Sequence, residues 1–227
     1  MRAKIGIRIE IAVENGCPND VSRADTDSDF EFSRKPKVGI VKYMQSDREK
    51  WNKRHLEREP GQLIPGIVRA HINRAPPGRA LDIACGIGAV SLFMARRGFV
   101  VEAVDISDVA LASFAHQHPG IRAICADLDI FDLAVDRYSL ITNIRYLNRR
   151  LFPQMIAALR PGGLLIIETF LKARKKEMDR KFKREYLLNE NELPEAFAHL
   201  KILHYEEFDS DCDRTPARIA SLVGLKP

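Results

Sequence analysis

Ala80-Leu81-Asp82-Ile83-Ala84-Cys85-Gly86-Ile87-Gly88-Ala89-Val90 is the stretch from which the fold is read. Ala80–Ala84 is a short apolar strand after the Pro76–Gly78 turn, and Gly88–Arg97 reads as a helix that Gly98 stops. Glycine permits positive φ and close backbone approach, so a ligand can lie against the loop between them, at the helix N-terminus. Gly86-x-Gly88 alone is a weak signal, because such pairs arise by chance. Its context gives it weight: an apolar strand before it, a helix after it, and Asp105 closing the next strand seventeen residues beyond Gly88. A carboxylate at that strand end can accept from both hydroxyls of a ribose, which points to a nucleoside-bearing cofactor. A dinucleotide fingerprint wants a third glycine where Ser91 stands, and Asp82 would bring like charge to a pyrophosphate. A carboxylate at position 82 suits a cationic group instead. No Gly-Lys-Ser/Thr follows the glycines, so a P-loop is excluded.

Outward from this stretch the rhythm continues. Val100–Val104, Ile121–Cys125, Ser139–Thr142 and Leu164–Phe170 read as strands. Ser107–His118 is a capped helix, Leu151–Leu159 a helix ended by Arg160-Pro161-Gly162-Gly163, and Asn191–Leu200 a last helix. Lys201–Phe208 and Ala217–Leu225 close as strands joined by too few residues for a helical crossover, so they pair antiparallel. The fold class is α/β: a doubly wound, mostly parallel seven-stranded sheet with an antiparallel last strand pair. Upstream, Ile5–Val13 alternates loosely as a strand does, whereas Glu14–Lys37 is polar and patternless. Ser46–Asp47 is a cap signal before a new helix. Residues 1–43 therefore read as a largely irregular extension and residues 44–227 as the domain.

The 227 residues suffice for a sizeable core without a disulfide or metal staple. At 45% hydrophobic and 30% charged, disorder, collagen and coiled coil are excluded. No apolar run spans a bilayer, and Met1–Glu10 lacks a secretory pattern. Cys17, Cys85, Cys125 and Cys212 are widely separated, which argues against a zinc site or a disulfide framework and for free thiols in a reducing cytoplasm. Charge is concentrated: Leu171–Glu185 holds eight basic and three acidic residues, and Glu206–Arg214 five acids against one arginine.

LDIACGIG, VDIS with Asp105, ADLD with Asp127, and ALRPGGLLIIETF together resemble the class I S-adenosylmethionine-dependent methyltransferases, a Rossmann-like fold. A KWNKR-like helix before the domain and RYLNRRLFP after the fourth strand resemble the tellurite-resistance-type, small-molecule branch. The likeness covers Ser46 to Pro227. It implies that Asp82, Gly86 and Gly88 line the methionine part of the cofactor, that Asp105 holds the ribose, and that Ile106 packs on the adenine. Asp127, or Asp129 two residues on, would accept from the adenine amino group, with Leu128 beside the ring. Asn143 and Ile144 would face the sulfonium and the substrate. Ala84 departs from the family, which often has glycine there, and that position usually takes a small side chain. Trp51, with Arg54 and His55 on the preceding helix, would shield the sulfonium or simply pack against another helix.

Methyl transfer from a sulfonium needs an acceptor held in line and somewhere for its proton to go, so positioning is the protein's main contribution. Asn143 and Tyr146 are the candidate catalytic residues, with Arg145 and Glu168 nearby. Asn143-Ile144-Arg145-Tyr146 keeps the outer letters of the N-P-P-Y motif of amino-group methyltransferases but lacks both prolines. The leading expectation is a small-molecule methyl acceptor. The alternatives are an RNA or protein substrate met by the basic Lys172–Arg184 segment, and a cofactor-binding protein without catalysis. Leu171–Glu185 reads as a lid, a nucleic-acid platform or a solvated charged helix.

Overall fold

In chain order the elements are β1 (Glu10–Ile11), α1 (Val38–Leu56), α2 (Gly66–His71), β2 (Arg79–Ile83), α3 (Ala89–Ala95), β3 (Val100–Asp105), α4 (Asp108–Phe114), β4 (Ile121–Cys125), β5 (Tyr138–Ile144), α5 (Leu151–Ala158), β6 (Leu159–Leu171), α6 (Glu192–Ala196), β7 (Lys201–Ser210) and β8 (Ala217–Leu225). They belong to a computed structural model that describes residues 10–11, 38–57, 64–173, 184–210 and 217–227. The strands form one sheet in the order β1-β4-β3-β2-β5-β6-β8-β7. Pairings are parallel from β1 to β6, and β8 runs antiparallel to both β6 and β7. β2 and β3 bury every residue after their first, as strands covered by helices on both faces must. One face packs Leu81, Ile141 and Ile167 under α5 and α6. The other packs Ala80, Val101 and Leu140 under α2, α3 and α4.

The seven expected strands and the antiparallel pair are present, and β1 adds a two-residue strand along β4, inside the stretch read as loosely alternating. α1 begins at Val38, so Ser46 lies within the helix rather than capping it, and the boundary drawn at Met44 falls inside α1. Residues 40–45 contain no breaker, and a Ser-Asp pair does not by itself start a helix when the chain before it is already helical. β6 starts at Leu159, so Arg160–Gly163 lies in the strand and not in a loop after the helix. The ladder slips between Tyr138 and Leu140, and a Cβ on Gly163 would sit 2.9 Å from the Tyr138 carbonyl oxygen, so this crowded bulge needs glycine. The last helix is only Glu192–Ala196, started by Asn191 in the left-handed region. Of the basic segment, residues 174–183 lie outside the described residues, as do residues 211–216 of the acidic one.

The turn from β2 into α3 is fixed by packing as much as by backbone freedom. Gly88 has φ +76°, and a Cβ there would lie 2.2 Å from the Phe114 ring, which is fully buried on α4. Overpacking and a left-handed alanine together cost about 3 kcal/mol. Gly88→Ala is therefore expected to lower the melting temperature by roughly 6–12 °C, read by calorimetry.

Candidate active site

The order of the strands reverses between β2 and β5, and ligands of open α/β sheets bind at that reversal, beyond the carboxyl ends of the strands. Ile83, the last residue of β2, lies opposite Asn143 near the end of β5. The chain then enters the glycine loop, with φ of +54° at Ala84, +53° at Gly86 and +76° at Gly88. Ala84 thus occupies a conformation that costs a side-chain-bearing residue about 1–2 kcal/mol, and glycine nothing. The loop is tied down by Cys85 N–H donating to the Val104 carbonyl (3.0 Å) and Gly88 N–H to the Cys85 carbonyl (3.0 Å). Gly86 N–H donates to Asp105 Oδ2 at 2.8 Å.

Two buried carboxylates define the electrostatics. Asp105 accepts from Gly86 N–H on one oxygen and from Ser107 N–H on the other (2.8 Å). Burial raises its pKa, against the pull of those two bonds and of His55. Each oxygen keeps a second lone pair for a further donor. Asp82 accepts from Ser91 Oγ (2.6 Å) and Thr142 Oγ1 (2.8 Å). Burial lifts its pKa from 3.8 to about 6, the two hydroxyls oppose the rise, and the charge of Asp105 adds to it. Among the described residues no cationic side chain pairs with Asp82.

Asn143 is fully buried, and neither its Oδ1 nor its Nδ2 has a hydrogen-bond partner. Thr169, equally buried, lies on the same face of β6, two residues beyond Ile167, the partner of Asn143, and its Oγ1 is also without a partner. Such groups are rare in folded proteins because each costs about 1–3 kcal/mol, so two at one crevice mark a place that a polar ligand completes. Tyr146 is half-buried and receives Asn148 Nδ2 at 3.4 Å. Burial, with Asp129 and Asp127 beside it, pushes its phenol well above the ordinary value, so Tyr146 stays protonated and is no base near neutral pH. Burial pushes the Cys85 thiol up as well, which makes it inert.

Asp127 Oδ1 is occupied by Asp129 N–H (2.9 Å), leaving Oδ2 for another donor, and Leu128 is buried beside it. Asp129 is exposed and bound by Asn148 Nδ2 (2.9 Å), so Asp127 is the better placed of the two. Ile106 is half-buried and follows Asp105 directly. Trp51 is half-buried on α1, stacked on His55 at 5.9 Å with the Arg54 guanidinium 5.0 Å away.

Three residues that sequence reading missed fasten the edge. Arg150 Nη2 holds the carbonyls of Leu128 and Phe131 (2.8 and 2.6 Å), which fixes the loop after β4. Arg149 grips Glu192 with both arms of its guanidinium and takes the carbonyls of Glu185 and Leu187, which ties residues 185–192 over the end of β6. Asn52 bonds α1 to α4. The arginine pair in Asn148-Arg149-Arg150 was the signal available for the first two; an asparagine amid the charges of α1 gave none.

The family model described as a methyltransferase domain matches residues 53–214. The chain belongs to this family. A ubiquinone biosynthesis O-methyltransferase of Coxiella burnetii is 26% identical over 155 residues, which is 64% of this chain and 65% of that protein. TehB from Haemophilus influenzae has a TM-score of 0.61 at 19% identity, covering 78% of this chain and 67% of that one. The Burkholderia thailandensis 1,6-didemethyltoxoflavin-N1-methyltransferase, solved with 1,6-didemethyltoxoflavin and S-adenosylhomocysteine, has a TM-score of 0.61 at 16% identity, covering 87% and 93%. At these identities the structures show the fold alone. The chain spans between 36% and 65% of the length of the curated relatives it matches, a ribosomal RNA small subunit methyltransferase C of Alcanivorax borkumensis at the lower end. The match places a methyltransferase domain over most of the chain, and that family uses S-adenosylmethionine as its methyl donor.

The methyltransferase crevice fits that donor on its own geometry. Asp82 is a buried carboxylate short of a cation, and the donor carries a sulfonium and an ammonium. Because the pKa of Asp82 is raised on folding, the ligand-free protein is penalised as pH rises from about 4 through about 6, by roughly 3 kcal/mol at pH 7. A bound cation reverses that sign, since it favours the ionised form. The melting-temperature gain from S-adenosylhomocysteine, whose ammonium remains, is expected to be larger at pH 7.5 than at pH 5. Asp82→Asn should raise the melting temperature of the ligand-free protein at pH 7.5 and flatten that pH dependence of the ligand's gain. Thermal scans with and without ligand at both pH values check it.

Proposed function

We propose that this methyltransferase binds S-adenosylmethionine in the crevice between β2 and β5 and transfers its methyl group to a small, uncharged or cationic acceptor. The observation that carries the reading is the junction at Asp105, where one buried carboxylate joins the glycine loop to the start of α4 and still has lone pairs for a ribose. Gly86 and the backbone at Ala84 give the methionine part close approach, with Asp82 as its counter-charge. Gly88 keeps the loop closed against Phe114, and Ile106, Asp127 Oδ2 and Leu128 form the adenine side. When bound, the donor supplies an electrophilic methyl group on its sulfonium. The chain's own part is to orient the acceptor and exclude water. Asn143 and Thr169 offer neutral donor and acceptor groups at the β5 and β6 ends, and Tyr146 offers a hydrogen bond.

Two features favour a small acceptor over RNA. The carboxyl edge is flanked on both sides, by α1 packed on α4 beside β3 and by residues 184–193 over β6, so a folded polymer has little room. Asp82, Asp105, Asp108, Asp127 and Asp129 also crowd this edge, and that field repels a phosphate backbone. The buried free thiols of Cys85 and Cys125 suit a reducing compartment, and we place the enzyme in the cytoplasm. Among the described residues no helix is long and apolar enough to cross a membrane.

S-adenosylhomocysteine is expected to bind with a melting-temperature gain, and Asp105→Ala to weaken it by about 1.5–3 kcal/mol in calorimetry. Tight NAD binding with no response to S-adenosylhomocysteine would overturn the cofactor. Consumption of S-adenosylmethionine, followed against a metabolite library and bulk RNA, separates a small acceptor from a polymer. Asn143→Leu fills the same volume without orphaned polar atoms, so the ligand-free protein should gain about 1–2 kcal/mol while losing turnover. Retained turnover would remove Asn143 from the site.

A further inference from the structure

We infer that Asn52 is a positioning residue that latches α1 over the nucleoside half of the cofactor site, so that docking of α1 and occupancy of that half are coupled; this rests on the cofactor reading above. The amide of Asn52 is used at both ends. Nδ2 donates to Asp108 Oδ1 at 2.9 Å, and Oδ1 accepts from Ser107 Oγ at 2.6 Å. Ser107 is fully buried, and the same Oγ accepts from Ala110 N–H (3.1 Å) to cap α4. Ser107 N–H in turn donates to Asp105, and Asp105 accepts from Gly86 N–H. An unbroken run of hydrogen bonds therefore leads from α1 through the cap of α4 and the ribose carboxylate to the glycine loop.

The described side chains of α1 are mostly polar, and the contact of Asn52 is the one that joins the helix to the cap of α4. From Gln45 to Leu56 the helix is mostly charged, and among those residues His55 alone is a buried side chain. Its place is nevertheless definite. α1 packs along α4, the helix that begins just after Asp105 at the carboxyl end of β3. A helix fixed there by a two-ended polar contact, above an Asp105 that is only 7% exposed, must be released for a nucleoside to reach that carboxylate and must close again behind it. Hydrogen bonds suit that task better than a greasy interface, because water replaces them readily when the helix lifts.

The test uses the full chain and S-adenosylhomocysteine. Asn52→Ala is expected to weaken binding about tenfold, chiefly through faster dissociation, with the melting temperature of the ligand-free protein little changed. Ligand should protect the amides of α1 from hydrogen exchange in the wild type and protect them less in the variant. Asn52→Asp sets a carboxylate against Asp108 and should be worse than Asn52→Ala. Adding Asp108→Asn reverses donor and acceptor and should recover most of the affinity, which a merely structural site would not predict. Wild-type affinity and dissociation rate in Asn52→Ala would overturn the latch, as would a lower ligand-free melting temperature with unchanged affinity. A wild type that fails to bind S-adenosylhomocysteine at all would remove the cofactor reading and the latch together.

Discussion

A carboxylate taken out of water has to be met by donors, and Asp105 is met by the backbone on both sides of the crevice. One oxygen fixes the glycine loop through Gly86, and the other fixes the turn into α4 through Ser107. The loop geometry depends on this contact, and the start of α4 inherits its position from it. Through Ser107 the same contact decides where α1 comes to rest. The remaining features of the carboxyl edge are arranged around a carboxylate held with free lone pairs rather than a neutralised one.

The parts of this arrangement that were legible in the sequence are those set by periodicity and by rigid backbone needs. Apolar strands alternating with helices gave the sheet and its antiparallel end, and Gly86, Gly88 and Asp105 gave the location of the crevice. Asp82, Asn143 and Asp127 also come to that one edge, as their strand-end positions required. At Gly88 the buried Phe114 ring forbids a side chain, a packing constraint that the loop pattern did not show. The start of α1 at Val38, the bulge at Leu159–Gly163 and the shortness of α6 were not legible. Each depends on tertiary contacts or on competition between a local cap signal and the chain already ordered before it. The fastening roles of Asn52, Arg149 and Arg150 are likewise long-range: their partners lie 19 to 56 residues away, and nothing in a one-dimensional pattern singles them out.

Two buried acids on neighbouring strands show how the protein separates structure from function. Glu102 of β3 sits toward the amino ends of the strands, where Arg137 and Tyr138 bind it and Arg79 and Arg122 stand 3.6 Å off. Burial alone would raise its pKa, but those bonds and charges outweigh burial and lower it. Asp82 of β2 is buried as deeply near the opposite end, is met by two hydroxyls and the Ser91 backbone with no cation beside them among the described residues, and is raised to about 6. The chain does not lack arginines, so the missing cation at Asp82 is a matter of where they are placed. The same division holds for the neutral groups: Ser139 at the amino end bonds the Arg79 carbonyl, whereas Asn143 and Thr169 at the carboxyl end bond nothing. The left-handed Ala84, the unneutralised Asp82 and the unpartnered Asn143 and Thr169 lie along one crevice, and several local rules broken in one place are the physical mark of a site whose last partners come from outside the chain.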